Sequence, residues 1–183
     1  MILFLIAAAC LISVPISGGR LSRLADLKLQ CAWAAPLALG LQVLIITVAP
    51  GGNSSLHAAA HLGTYGLGGL FLWANRHLRG ARLIATGAIA NTVAIAANAG
   101  IMPASVTAQR IAGLATGTGF QNSAHLAHPH LLWLGDIIPV PGPWPLGNVL
   151  SIGDLVIYAG MLVLLHNACR THASPRLDAA PNR

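Results

Sequence analysis

Five apolar stretches, each near the length of a membrane-crossing helix, make up half of this chain and limit what it can fold into. A hydrocarbon core about 30 Å thick is crossed by roughly 17–25 predominantly apolar residues in a helix. The stretches 1–17, 31–49, 57–75, 83–101 and 149–166 qualify, the first being short. A helix is the form in which an open segment satisfies its own backbone groups in lipid. The pattern therefore predicts an all-α integral membrane bundle of five transmembrane helices, a single domain over residues 1–170.

The gaps between these stretches predict its orientation. Arg20, Arg23 and Lys28 follow the first stretch, and Arg76, Arg79 and Arg82 follow the third. Arg170, Arg176 and Arg183 follow the fifth. The gap 50–56 has no Lys or Arg, and the long gap 102–148 has Arg110 alone. Because basic residues stay on the cytoplasmic side, the N-terminus is expected outside and the C-terminus in the cytoplasm. The first stretch has its positive flank on the wrong side for a signal peptide and is read as a retained helix. The tail 171–183 is polar, contains Pro175 and Pro181, and is expected to be disordered.

Composition agrees. Of the 183 residues 55% are hydrophobic and 8% charged, where a soluble domain carries about 25% charged residues. The net charge of +6 does not point to nucleic acid, because the bases are scattered among short gaps; anionic lipid headgroups account for them. The expected partners are the lipid bilayer and a membrane or extracytoplasmic partner of unknown identity. Cys10, Cys31 and Cys169 lie in or beside apolar runs without C-x-x-C spacing and are read as small apolar residues. Asn75, Asn91 and Asn98 sit in or at the ends of helices, where such residues hydrogen-bond between helices.

The unusual chemistry gathers in and around the outer segment 102–148. Pro103 suits the first turn of a short helix lying along the interface to about Leu114. Pro139, Pro141, Pro143 and Pro145 rule out helix and favour an extended or turning chain. Trp133 and Trp144 suit an interface, so the segment is expected in or on the outer leaflet. Asp136 and Asp154 are the acids on this side, and the Pro/Gly-rich link between them allows a fold-back that joins their carboxyls. Two carboxyls sharing a proton can activate water and protonate a reacting group, which is aspartic-peptidase chemistry. The structural alternative is that Ser151-Ile152-Gly153-Asp154 is a capping box opening the fifth helix, with Asp136 paired to Arg110 or solvated.

Histidines offer a further constellation. His57 and His61 share a helix face at i, i+4, and His125, His128 and His130 lie in the outer segment. With Asp136 they form a possible site for zinc or another divalent ion, although no Glu completes H-E-x-x-H. No phosphate loop, nucleotide fingerprint or G-x-S-x-G is present, and no cofactor is expected.

Two stretches resemble a known family. N-A-G-I-M-P, with Asn98, Met102 and Pro103, and L-G-D-I-I-P…N-V-L-S-I-G-D, with Asp136, Asn148, Ser151, Gly153 and Asp154, are similar to signatures of a bacterial family of small multi-pass membrane proteins catalogued as a domain of unknown function. The resemblance implies a helical fold and a place in the bacterial cytoplasmic membrane, without an activity. The span from Gly135 to Gly160 also resembles lipoprotein signal peptidases, which place catalytic aspartates where Asp136 and Asp154 stand. Ser151 occupies the position of their Asn, and their G-N-x-x-D-R element is missing. The reading is a non-catalytic binding or scaffolding membrane component. The alternatives are an aspartic hydrolase using Asp136 and Asp154, and a metal or small-solute binder using the outer histidines.

Overall fold

The computed structural model describes residues 2–48, 55–114, 123–124, 126–142 and 146–170, with side chains over 5–44, 63–114, 126–142 and 146–170. Helix α1 is Ile2–Ile16, followed by a 3₁₀ turn at Leu21–Asp26; α2 is Ala34–Val48, α3 Ser55–Ala74 and α4 Ala81–Ala97. The chain then forms β1 (Met102–Pro103), α5 (Val106–Ile111), β2 (Ser123–Ala124), a 3₁₀ turn at Leu132–Leu134, β3 (Asp136–Val140), β4 (Asn148–Ser151) and α6 (Ile152–Cys169).

The expectation of an all-α bundle of five transmembrane helices is overturned. The fold is mixed: β1 pairs with β2 in parallel and β3 with β4 in antiparallel, giving two small two-stranded sheets. Among the described residues, Ile152–Cys169 alone is both long and apolar enough to cross a membrane, while Leu5–Ile16, Ala34–Leu44 and Ala81–Ala97 are apolar but shorter.

Backbone breaks shorten the apolar stretches. Helix α1 stops ahead of Gly18 at φ 79°. The second stretch spends its first residues on a turn through Cys31, at φ 49°. The fourth ends at Ala97 because Ala99 and Gly100 turn left-handed, at φ 54° and 92°. Helices α1 and α2 have 15 residues each, about 22 Å at 1.5 Å per residue, less than a hydrocarbon core. In the fifth stretch, residues 149–151 pair as β4, and the helix runs 152–169.

The extended chain expected from the prolines is strand β3. Pro139 lies opposite Val149 in register, which a two-stranded ribbon permits because each strand is an edge. The short helix expected from Pro103 to about Leu114 is shorter: Pro103 stands in β1, and α5 runs only over Val106–Ile111, capped by Ser105, whose hydroxyl accepts from the Ala108 N–H.

Helices α4 and α6 form the tightest junction, running antiparallel. Gly80 and Gly87 on one, and Gly153 and Gly160 on the other, are each seven residues apart, so each pair lies on one face two turns apart. A Cβ at Gly87 would lie 2.4 Å from the Gly153 carbonyl oxygen, and one at Gly80 2.3 Å from that of Gly160. The backbones meet because no side chains intervene. Helix α1 runs parallel to α6, joined through buried Cys10, Val14, Leu165 and Cys169. The chain therefore has two ends. A basic end gathers Arg20, Arg23, Arg79 and Arg170; a strand end, where α4 finishes and α6 begins, carries both sheets. Cys10, Cys31 and Cys169 are free thiols.

Candidate functional site

The strand end is built on the start of α6. Ser151 has the extended backbone of an N-cap, and its hydroxyl accepts from the Asp154 N–H at 2.9 Å. Asp154 Oδ2 accepts from the Ser151 N–H at 2.9 Å, completing the capping box. Reciprocal bonds of this kind satisfy helix donors that have no partner within the helix, and the carboxylate gains from the positive end of the helix dipole.

A third residue closes the arrangement. Asn91 of α4 donates from Nδ2 to Asp154 Oδ1 at 2.8 Å, and its Oδ1 accepts from the Ser151 hydroxyl at 2.8 Å. Asn91, Ser151 and Asp154 thus form a closed circuit in which each carboxylate oxygen accepts a bond. Ser151 is fully buried. Gly153 makes room for the circuit: a Cβ there would lie 1.9 Å from Asn91 Oδ1. The sequence reading of Asn91 as an interhelical hydrogen bonder holds, but that reading did not join it to Asp154. The seven-residue glycine spacing was the available signal, because it places Asn91 one turn beyond Gly87 on the same junction.

The fold-back expected between the two aspartates is the β3–β4 hairpin. Asp136 is the register partner of Ser151, whose N–H is held by Asp154, so both acids come to the same end. Asp136 is half-buried, and its carbonyl accepts from the Ser105 N–H at 2.9 Å. It also bridges to Ala104, tying the hairpin to the chain after β1. Arg110 is exposed in the last turn of α5.

The remaining motif residues hold the segment in place. Met102 packs with Ala94 and Ile95 beneath Tyr65 and Leu134. Pro103 is fully buried, and its carbonyl approaches Gly135 so closely that a Cβ there would lie 2.2 Å away. Asn148 opens β4 opposite Val140, and its Oδ1 accepts from the Val149 N–H at 2.8 Å. Asn98, expected to bond between helices, instead grips the backbone of the outer segment. Its Nδ2 donates to the His130 carbonyl at 2.7 Å, and its Oδ1 accepts from the His130 N–H at 2.8 Å.

Of the histidines weighed as metal ligands, His57 and His61 fall within α3, but their side chains lie outside the described residues, as does His125. His128 and His130 are exposed. Among the described residues no group of three His, Cys, Asp or Glu side chains is placed to hold a metal. The tail 171–183 and Trp144 also lie outside the described residues.

Residues 26–166 match a family of unknown function, DUF5317. A Thermotoga maritima protein described as uncharacterised is 29% identical over 113 residues, which is 62% of this chain and 62% of that protein. The chain therefore matches less than two thirds of that relative's length. No solved structure matches.

Proposed function

The chain belongs to the DUF5317 family of unknown function, and on that footing we propose that it is a non-catalytic membrane component that presents its strand end to a partner. The observation that carries this reading is the closed circuit of Asn91, Ser151 and Asp154. Every polar atom of the circuit already has a partner inside it. Asp154 thereby ties the hairpin to two helices and acts as a structural group. Fixed loops on a rigid helical support are the usual site of recognition.

The proposed location is the bacterial cytoplasmic membrane, with lipid covering the exposed apolar side chains of the helices. Large aliphatic side chains face outward on α1, α2, α4 and α6; Ile16, Leu39 and Ile89 are 81%, 66% and 63% exposed. Exposed apolar surface on this scale calls for a covering. Exposed Trp33 and Trp73 at one end and Trp133 at the other suit the two interfaces, and Arg76 lies 4.4 Å over the Trp73 ring. Alkaline washing of membranes tests the location: the chain should stay in the membrane pellet and be released by detergent alone. Recovery in the soluble fraction overturns it.

A second reading has one observation in its favour. The register of Asp136 with Ser151 puts both acids of the signal-peptidase-like span at one end. As a hydrolase, the chain would cleave a lipid-modified precursor peptide in detergent micelles, with Asp136→Asn and Asp154→Asn each inactive while still folded. Under the structural reading no cleavage occurs, and Asp154→Asn shows only lower stability. Cleavage lost in both folded variants would replace the first reading with the second.

A further inference from the structure

Helices α1 and α6 end side by side, and their last turns enclose a cavity of about 260 Å³ lined by Val14, Ser17, Gly18, Gly19, His166 and Arg170. The last carbonyls of a helix ordinarily repel an anion, because they lack partners within the helix and carry its negative end. Here those carbonyls are taken. The Gly19 N–H donates to the Val14 carbonyl at 2.9 Å, and the Arg20 N–H to the Cys169 carbonyl at 3.0 Å. The Arg23 guanidinium donates through Nη1 to the Arg170 carbonyl. The polar side chains of the wall are engaged as well. Ser17 donates to the Val14 carbonyl at 2.8 Å, and the His166 ring lies between Ser13 Oγ at 2.9 Å and Ser17 Oγ at 3.2 Å. Arg170 differs. Its guanidinium lines the cavity and makes no hydrogen bond or ion pair among the described residues. A guanidinium is a planar fork of donors with no acceptor, and it matches the oxygens of a phosphate. Arg23, bound to the Arg170 carbonyl, keeps further donors beside it.

Apolar surface continues from this cavity toward the middle of the molecule. Ala9 and Leu162 stand one turn deeper than Ser13 and His166 on the same helix faces, and both are exposed. Leu5 and Leu155 extend those two faces and are 49% and 47% exposed. We propose that the cavity binds the phosphate of an anionic phospholipid, held by Arg170 with Arg23 beside it, while an acyl chain lies over Ala9 and Leu162. A phosphate carrying net negative charge is the recognised chemistry, and the apolar strip favours a lipid over the free anion. The lipid source rests on the membrane location proposed above; the phosphate site does not.

The test uses the full chain in neutral detergent. Native mass spectrometry follows the binding of phosphatidylglycerol and of phosphatidylcholine, whose choline cancels the phosphate charge. Equilibrium dialysis follows radiolabelled inorganic phosphate. Phosphatidylglycerol should bind at least about tenfold more tightly than phosphatidylcholine, and Arg170→Ala should weaken it about tenfold, the order of one charge-assisted hydrogen bond. Arg82→Ala removes an exposed charge outside the cavity and should change the affinity by no more than about twofold, as a screened surface charge does. Arg170→Lys keeps the charge without the fork, so it should fall between Arg170→Ala and the wild type; it carries the test if the alanine variant does not fold. Equal binding of the two lipids, wild-type affinity in the Arg170 variants, or an equal loss in Arg82→Ala overturns the site. Inorganic phosphate bound as tightly as phosphatidylglycerol overturns the lipid source and leaves a site for the free anion. If alkaline washing releases the chain from membranes, the location fails separately. The site then stands only if inorganic phosphate binds the wild type and not Arg170→Ala.

Discussion

Asn75 and Asn98 make the same three hydrogen bonds at opposite ends of the molecule. Each follows a helix, and each donates from Nδ2 to the carbonyl four residues back, Phe71 at 2.8 Å and Ala94 at 2.7 Å. Each also grips one distant residue's backbone at both its N–H and its carbonyl. Asn75 holds Gln30 at 2.9 and 2.8 Å, and Asn98 holds His130 at 2.8 and 2.7 Å. An amide offers an acceptor and a donor side by side, as a peptide group does, so it can stand in for a neighbouring strand. The first clamp fixes the approach to α2, and the second fixes the outer segment over the end of α4.

Removing either clamp leaves backbone groups without partners at a buried site. Asn75→Ala and Asn98→Ala should each cost about 2–4 kcal/mol of stability, measured by denaturant unfolding in detergent. Asn98→Asp should be no better than Asn98→Ala at neutral pH, because a carboxylate cannot donate to the two carbonyls. The two alanine changes should add to within about 0.5 kcal/mol, since the clamps share no partner.

The circuit at the start of α6 predicts coupling. Asp154→Ala should cost about 2–3 kcal/mol, combining a lost cap with a lost bond to Asn91. Asn91→Ala combined with Asp154→Ala should be less damaging than the sum of the two, by about 1 kcal/mol or more. Strict additivity in that double-mutant cycle would show that the two side chains do not act together.

Glycines of the helix junction should respond differently from those elsewhere. Gly87→Ala and Gly160→Ala place a methyl group against the backbone of the facing helix and should each cost about 1–3 kcal/mol as the helices are forced apart. Nothing lies within 4 Å of a Cβ at Gly66 in α3. Gly66→Ala should therefore be neutral, or stabilising by up to about 1 kcal/mol, through the better helix propensity of alanine. Thermal unfolding of the three variants under one condition separates the classes.

Local chemistry was readable from the order of residues. Ser151 and Asp154 lie three apart ahead of an apolar run, and reciprocal capping needs nothing beyond that spacing. Pro139 removes a backbone donor and locks φ wherever it stands, so an extended chain followed from the sequence and became β3. The apolar stretches likewise located α1 to α4 and α6 in outline. It did not locate their ends, because Cys31 and Ala99 turn left-handed without being glycine or asparagine, and nothing in their chemistry announces it.

Tertiary structure decided the rest. Residues 149–151 look like the start of a helix until β3 offers them a partner, and a strand exists only as a pair. Asn91 is one polar residue among several in the apolar stretches. It meets Asp154, 63 positions further along the chain, because Gly87 and Gly153 let the two backbones close together. His166 reaches Ser13 and Ser17 because α1 lies parallel to α6, a packing choice made by Cys10, Val14, Leu165 and Cys169 together. Caps, prolines and apolar runs act over a few residues and are fixed by sequence; hydrogen bonds between distant side chains wait for the core that brings them within reach.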